Sequence, residues 1–254
     1  MRPDVACFQE VWQDANTANT AAWIVEQLPG LGYHLAFHGA PFDPQLWPDP
    51  SMRFGSAVLS RWPIEPSTYH RLPIDDRNVG DGFVASVPWE LVHVRSAGLD
   101  VFSCHLAPAP THGLHRRVQV LAIDEIVRRA RGDLDAVPPP GRQRNAMPII
   151  LCGDFNAEPD SDEIRFLCSL TPLDGRTAFY QDAWRVAGDG PGYTQDWRTN
   201  ALAESMNPPQ SSSVSPKVAK PATCCDTDSV EDSNATAGVR LSASQQVAAG
   251  RHLR

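Results

Sequence analysis

The chain has 254 residues, 42% of them hydrophobic, which is enough for one domain of catalytic size with a sizeable core. Its formal net charge of −8 excludes a global positive field that would hold a polyanion, so a phosphate substrate must be met by local cations or a metal ion. No basic segment followed by an apolar run opens the sequence, and no run approaches the length of a membrane span. We therefore expect a soluble protein of the cytoplasm or another intracellular compartment.

The first predicted element is a short buried strand over residues 4–8, which ends in the polar pair Gln9-Glu10. This places the carboxylate of Glu10 at the carboxyl end of a strand. A helix is predicted over residues 18–28, where Pro29-Gly30 stops it. The proline-rich and aromatic loop that follows, residues 41–50, could line a cleft.

Strands dominate the middle of the sequence. Apolar segments bounded by Gly, Pro and Asp predict strands over residues 55–60, 83–87, 91–95 and 99–106. Cys7, Cys104 and Cys152 each lie in such an apolar run, and none of the six cysteines stands in a CxxC pair or at a zinc-like spacing. We therefore predict core packing for these three thiols.

A long amphipathic helix is predicted over residues 111–131. Val120, Ile123 and Val127 fall on one face at helical spacing, and we expect this face to lie on the sheet. Residues 132–147 form a polar connection that we expect on the surface.

The next predicted strand, residues 148–152, is fully apolar, and Gly153 breaks it just before Asp154 and Asn156. After it, Asp160 is a candidate helix N-cap with Glu163 as its capping-box partner. Beyond about residue 200 the chain is rich in Ser, Ala, Thr and Asp without apolar periodicity. We predict a domain over residues 1–200 and a disordered, low-complexity tail over 201–254.

Polar residues follow the ends of separate predicted strands: Glu10, His105, and Asp154 with Asn156. In α/β proteins such strand ends collect the functional site. A pair of carboxylates suits a hard cation such as Mg²⁺, and an asparagine can orient a water molecule or a phosphate oxygen without adding charge. Each signal is weak by itself, because strands often end in Asp or Glu and a lone histidine in an apolar segment is usually structural.

The combined order of motifs is more specific, and with it the chain resembles the endonuclease/exonuclease/phosphatase (DNase I-like) superfamily. The resemblance covers about residues 3–200, and Gly153-Asp154-Phe155-Asn156 is its most specific motif. The supporting motifs are Pro3-Asp4 to Gln9-Glu10, Ala57-Val58-Leu59-Ser60-Arg61, Cys104-His105-Leu106 followed by Arg116 and Gln119, and Pro191-Gly192-Tyr193-Thr194.

The resemblance implies an α/β (α+β) fold in which two packed, mostly antiparallel β-sheets are flanked by helices, a four-layer α/β/β/α sandwich. It also implies roles for the site residues. Glu10 would ligate Mg²⁺ or Mn²⁺, Asp154 would orient or deprotonate the attacking water, and His105 would contact the scissile phosphate. Asn156 would help to position the water or substrate. Arg116 is a candidate phosphate contact, with an exposed helix arginine as the alternative.

Family members usually begin with one more strand, which bears a metal-site asparagine, and end with an Arg-Ile-Asp-Tyr-like strand and a Ser-Asp-His motif. Neither is found at the expected place in this sequence. We therefore expect an incomplete sandwich from a truncated, mis-spliced or frame-shifted gene product.

The function that this sequence predicts is a metal-dependent phosphoester hydrolase, a phosphodiesterase more than a monoesterase, that uses direct attack by water. The substrate stays open among nucleic acid, a phospholipid head group and a small phosphoester. Phe42, Trp47, Phe54 and Trp62 could stack on bases, dip into a lipid interface, or simply pack. The alternative is a catalytically impaired remnant of the same fold that acts, if at all, as a binding module.

Overall fold

The computed structural model describes residues 2–16, 18–44, 47, 49–78, 82–132, 149–190, 192, 194 and 248–250. By internal contacts the chain divides into two units, and Met1–Gly192 with Arg240–Arg254 holds every helix and strand given below. Of the second unit, Tyr193–Val239, only Thr194 is described. Among the described segments, no helix has the length and apolar character needed to cross a membrane.

The first sheet has three antiparallel strands in the order β1-β3-β2. The strands are β1 (Val5–Gln13), β2 (His34–Ala40) and β3 (Arg53–Ser60). β3 is buried along nearly its whole length because it is the central strand.

A short helix, α1 (Thr20–Gln27), covers the outer face of this sheet. It begins at Asn19, whose side-chain oxygen accepts a hydrogen bond from the Ala22 N–H at 2.7 Å, as an N-cap does. Its Ala21 packs against Val11 and Ala57 in a small apolar cluster. The helix predicted over residues 18–28 is therefore confirmed.

The second sheet has six strands in the order β4-β5-β6-β7-β9-β8. The β6–β7 pair is parallel, whereas the other neighbouring pairs are antiparallel. Its strands are β4 (Thr68–Arg71), β5 (Glu90–Ser96), β6 (Leu99–His105), β7 (Ile150–Asp154), β8 (Tyr180–Asp182) and β9 (Ala248–Gly250).

The long helix α3 (Gly113–Arg131) packs on this second sheet and builds the main core. Val120 and Ile123 are fully buried in one cluster with Phe102 and Leu151 of the central strands. The helix ends at Gly132, whose φ of 77° is a left-handed C-cap conformation. The predicted amphipathic helix and its apolar face are thus confirmed.

The two sheets face each other through polar as well as apolar contacts. Gln9 Nε2 donates to Ser103 Oγ at 2.9 Å, and the hydroxyls of Ser60 and Ser96 are 2.8 Å apart. With α1 outside the first sheet, and α3 with α4 (Asp162–Leu167) outside the second, the molecule has the four layers expected of an α/β/β/α sandwich.

Two local predictions are wrong. Residues 83–87 were predicted as a strand but belong mostly to the short helix α2 (Gly82–Ser86). The buried residues are Val84 and Val87, which are three apart, and this spacing places them on one face of a helix and not on one face of a strand. The N-cap of α4 is Ser161, not Asp160, and Glu163 makes an ion pair with Arg116 instead of closing a capping box.

Several predictions fall where the structure gives little. The polar connection over residues 133–147 lies outside the described residues, as do Pro191 and Tyr193 of the 191–194 motif. Most of the tail predicted over 201–254 also lies outside the described residues. Ala248–Gly250 are the exception, since they form strand β9 between β7 and β8. The sequence pattern predicts disorder for these three residues. The boundary near residue 200 stays a prediction.

Candidate active site

His105 and Asp154 are brought together by the parallel pair at the centre of the second sheet. The register of β6 and β7 places His105 opposite Asp154, and each residue ends its strand. The Leu106 N–H donates to the carbonyl oxygen of Asp154 at 2.9 Å, which holds the two strand ends together just past the pair. Parallel strands that end side by side therefore put an imidazole and a carboxylate at one sheet edge.

Gly153 explains how β7 can approach β6 this closely. Its φ of +136° lies outside the range that side-chain-bearing residues favour. A Cβ at this position would also lie 2.0 Å from the carbonyl oxygen of Cys104. The glycine before Asp154, which breaks the apolar pattern in the sequence, is thus required by backbone packing.

Asn156 holds the turn that follows Asp154. Its backbone N–H donates to Asp154 Oδ1 at 2.8 Å, and its side-chain Nδ2 donates to the Leu106 carbonyl oxygen at 2.9 Å. Its φ of +47° is a left-handed conformation that asparagine tolerates better than most residues. Through these contacts Asn156 joins the loops after β6 and β7. Its contact with water or substrate stays a prediction.

Glu10 reaches the site from the other sheet by way of a β-bulge. Phe8 pairs with Ala57 and Val11 with Gly55, so Gln9 and Glu10 together oppose a single residue of β3. The predicted strand end at Glu10 is therefore wrong, because β1 continues to Gln13.

The bulge gives Glu10 a φ of +57° and turns its side chain out of the ladder. The carboxylate is 67% exposed, and its Oε1 lies 3.8 Å from His105 Nε2. Three of the residues predicted for the site thus converge from two sheets.

His105 is enclosed by aromatic rings. Its own ring is 5.2 Å from Trp89 in an edge-on arrangement and 6.1 Å from Phe54, centroid to centroid. Burial lowers the pKa of His105 below its ordinary value, although the carboxylates of Asp154 and Glu10 act in the opposite direction. Burial therefore favours the neutral imidazole, which can both accept and donate a hydrogen bond.

Phe54 belongs to an aromatic cluster that extends from His105 to the surface. Trp12 is its centre, with ring centroids 5.3 Å from Phe42, 5.4 Å from Trp47 and 5.0 Å from Phe54. Trp47 is 43% exposed, so the outer end of the cluster meets solvent. Of the four aromatic residues singled out in the sequence, Phe42, Trp47 and Phe54 thus form one cluster beside the site, whereas no ring contact joins Trp62 to it within the described residues.

Arg116 is not an exposed helix residue, so that interpretation is wrong. It is 6% exposed and pairs through Nε with Glu163 Oε1 at 2.9 Å. Its Nη1 donates to the carbonyl oxygens of Ala107 and Ala109, at 3.0 and 2.7 Å. These protein acceptors occupy donors that a phosphate would need, so the predicted substrate contact has little support from the geometry.

The donor chemistry of the site fits a hard, water-rich cation. Glu10 and Asp154 both present exposed carboxylate oxygens, which Mg²⁺ and Mn²⁺ prefer. Within the described part of the chain, no group of three or more His, Cys, Asp or Glu side chains is placed to enclose a metal ion. An open site that leaves most ligand positions to water and substrate is the usual arrangement for Mg²⁺.

Sequence reasoning missed Trp89, which directly precedes β5, and Glu90, which begins it; both flank the site. Glu90 lies opposite His105 in the β5–β6 register, and Trp89 contacts the imidazole. A usable signal was present, since a Trp-Glu pair begins a strand that forms a hairpin with the strand carrying His105. The missing information was the register, which depends on the two-residue turn at Ala97 and Gly98.

Comparison with known proteins gave a family and a fold. The sequence model of the Endonuclease/Exonuclease/phosphatase family matches residues 1–205. No sequence among curated proteins matches the chain. The catalytic domain of human Nocturnin with a bound sulfate anion is similar over 75% of this chain, with a TM-score of 0.51 and 18% identity, and the chain spans 64% of that domain. This likeness shows a shared fold.

Two further solved structures are similar at lower scores. A truncated TDP2 from Caenorhabditis elegans matches 74% of this chain and 59% of its own length, with 19% identity and a TM-score of 0.44. ANGEL2, a 2',3'-cyclic phosphatase in complex with adenosine-2',3'-vanadate, matches 64% of this chain and 42% of its own length, with 21% identity and a TM-score of 0.41.

Proposed function

The chain belongs to the Endonuclease/Exonuclease/phosphatase family, and we propose that it hydrolyses phosphoesters, diesters more than monoesters, by direct attack of water. The observation that carries the proposal is the convergence of Glu10, His105 and Asp154. Glu10 Oε1 lies 3.8 Å from His105 Nε2, and His105 is paired in register with Asp154. Packing alone does not require this meeting of two carboxylates and an imidazole from two sheets.

Glu10 is the residue that would hold a divalent cation, Mg²⁺ or Mn²⁺. Its carboxylate is a hard oxygen ligand, and its exposure leaves room for the water molecules that such a cation keeps. A cation bound there would neutralise charge that develops on the phosphate oxygens. His105 lies next to the rings of Trp89 and Phe54, and burial favours its neutral form. It is placed to donate a hydrogen bond to a phosphate oxygen.

Asp154 is the group to which we assign the proton of the attacking water. Its Oδ1 accepts the Asn156 N–H, which fixes the carboxylate and leaves Oδ2 as the oxygen assigned to the water. As the water oxygen bonds to phosphorus, its proton passes to Asp154, and the ester oxygen leaves with the electron pair of the broken bond. Asn156 supports this step by holding the turn.

The aromatic cluster supports an organic phosphodiester as the substrate. A ring or other apolar group attached to the phosphate would lie next to Phe54 and reach the exposed Trp47. A long polyanion is less favoured, because the net charge of −8 gives no positive field to attract it. A small phosphoester or a phospholipid head group therefore fits better than a long nucleic acid.

The test is hydrolysis of bis(4-nitrophenyl) phosphate by the full chain with Mg²⁺, with Mn²⁺ and with a chelator. We expect cation-dependent turnover that falls by about 100-fold or more in Asp154→Asn, the range for loss of a general base. Asp160→Asn is the matched control, because that carboxylate is 90% exposed and lies outside the site. A folded chain without turnover under any of these conditions would contradict the proposal and favour the remnant that acts as a binding module.

A further inference from the structure

The segment directly after His105 is held by hydrogen bonds to three residues elsewhere in the fold. The Leu106 N–H donates to the Asp154 carbonyl oxygen at 2.9 Å, and the Leu106 carbonyl oxygen accepts from Asn156 Nδ2 at 2.9 Å. The Ala107 N–H donates to Gln119 Oε1 at 3.1 Å. A loop with no regular structure thus has its buried backbone groups paired one by one.

Arg116 of helix α3 makes further hydrogen bonds to this loop. Its Nη1 bridges the carbonyl oxygens of Ala107 and Ala109, while its Nε donates to Glu163. Both side chains of the ion pair are buried, at 6% exposure for Arg116 and 4% for Glu163. One guanidinium therefore binds a loop and a second helix at the same time, which only its planar fork of donors allows.

The ion pair also links the two segments that carry the site. Glu163 lies in α4, the helix that follows the Asp154–Asn156 turn, whereas Arg116 binds the loop that follows His105. Asn156 makes a second link between the same two segments through Leu106. The loops after His105 and Asp154 are thus joined into one ring of hydrogen bonds that includes the ion pair.

We propose that the Arg116–Glu163 pair is a positioning device that sets the placement of His105 relative to Asp154. The kinetic part of this proposal rests on the proposed hydrolase function. Arg116 and Glu163 act through the backbone of Ala107 and Ala109 and do not contact the reacting atoms. Stability alone does not account for the pair, because a buried ion pair can often be replaced by apolar side chains without loss of stability.

The decisive variant is therefore the double substitution R116M/E163L, which removes both charges together and keeps the volume apolar. We expect it to remain folded, with kcat reduced by about tenfold or more and KM within about twofold, because misplacing catalytic groups lowers kcat first. R116K keeps the charge but cannot reproduce the fork, so we expect a smaller fall in kcat. An unchanged kcat in the folded double variant would overturn the proposal.

The matched control is R117M/D174N, which keeps a side chain that tolerates the φ of +47° at position 174. Arg117 is the next residue of α3, and its partner Asp174 is 59% exposed, so this pair is a surface contact outside the ring. We expect kcat and KM to stay at the values of the unaltered chain. An equal fall in kcat in this control would show that any loss of charge on α3 is sufficient, and would also overturn the proposal.

A second readout does not depend on activity. Hydrogen exchange at the Leu106 and Ala107 amides should become about tenfold faster or more in R116M/E163L, while the Phe102 amide inside β6 keeps its protection. Should R116M/E163L fail to fold, R116K provides the same measurement. Unchanged exchange at both amides contradicts the positioning role, whereas faster exchange in a chain without turnover contradicts the proposed hydrolase function alone.

Discussion

The two halves of the candidate site are built in opposite ways. His105 and Asp154 end neighbouring parallel strands, and the loops after them are held by buried hydrogen bonds to Asn156, Gln119 and Arg116. Glu10, by contrast, lies in a bulge of the other sheet, with a φ of +57° and a carboxylate that is 67% exposed. We call His105, Asp154 and the loops after them the fixed half of the site, because hydrogen bonds hold them in place. We call Glu10 the exposed half, because only the β-bulge directs its carboxylate.

This difference matches the two kinds of chemistry that we propose. A general base and a hydrogen-bond donor have to be placed before the substrate arrives, because geometric error is costly in the transition state. A carboxylate that holds a water-rich cation needs access and some freedom. Mutations in the fixed half and in the exposed half should therefore differ in their effects as much as the two structures differ.

The largest effect is expected at Gly153 in the fixed half. In Gly153→Ala the added Cβ would lie 2.0 Å from the Cys104 carbonyl oxygen at a φ of +136°, so β7 has to move away from β6. We expect a loss of about 4 kcal/mol or more in the free energy of unfolding, or no folded protein, as measured by denaturant titration.

The control variant Gly98→Ala separates the effect of a steric clash of the new Cβ from the effect of a positive φ. Gly98 also has a positive φ, +78°, but nothing lies within 4 Å of the position of its Cβ. We expect this control to cost only about 1 kcal/mol, the penalty for a left-handed backbone at a residue with a side chain. If both substitutions cost the same, the close approach of the two strands is not what makes Gly153 necessary.

The second prediction concerns the exposed half, where one substitution should lower turnover and raise stability. Glu10→Gly removes the cation ligand, so cation-dependent turnover should fall by about 100-fold. It also relieves the positive φ, so the free energy of unfolding should rise by about 1 kcal/mol. Ala97→Gly is the control, since Ala97 is an exposed residue with a φ of +50°, and it should gain stability with no change in turnover.

A third prediction concerns Glu90, which lies beneath the fixed half opposite His105. Burial raises the pKa of Glu90 above its ordinary value, although His38 and Ser56 act in the opposite direction. Neither carboxylate oxygen meets the geometry of a hydrogen bond among the described residues, and His38 Nδ1 lies 3.5 Å from Oε2. Ionised Glu90 is therefore a cost to the fold.

The sign of the pH effect follows from that shift. Because the folded-state pKa is the higher one, the favourable contribution of protonated Glu90 is complete below the unfolded pKa and is lost as the pH rises through the folded pKa. Glu90→Gln should therefore be more stable than the unaltered chain at neutral pH, by about 1 kcal/mol, with the difference shrinking in acid. Denaturant titrations at several pH values measure this, and a difference that stays constant with pH would show that the pKa of Glu90 is the same in the folded and unfolded states.

The strand ends of the fixed half could be predicted from sequence, whereas in the exposed half the residue could be predicted but the bulge that carries it could not. An apolar run that ends in Gly153 and Asp154 indicates a buried strand end because burial and turn formation are local properties of the chain. Glu10 was found as a site residue, but its strand was ended too early, since a bulge depends on the partner strand and leaves no local pattern.

The role of Arg116 was unpredictable for a related reason. An arginine on an amphipathic helix looks exposed unless its acceptors are known, and Ala107 and Ala109 offer only backbone carbonyls, which no sequence pattern marks. Glu163 looked like a capping residue because its spacing from Asp160 fits that motif. The tertiary ion pair overrode the local preference.

The smallest expected effect is at the outer end of the aromatic cluster. Trp47 is 43% exposed, and its ring lies 5.4 Å from that of Trp12, so it can contact the organic part of a substrate without touching the reacting atoms. Trp47→Ala should raise KM for bis(4-nitrophenyl) phosphate by about fivefold with little change in kcat, as expected for the loss of one stacking contact. Trp23→Ala removes an even more exposed ring, 59% accessible, on α1 and should leave KM unchanged. A dialkyl phosphate should be nearly insensitive to both substitutions, because it has no ring to stack. If Trp47→Ala lowers kcat instead, the cluster belongs to the fixed half of the site, since it would then be placing His105 through Phe54.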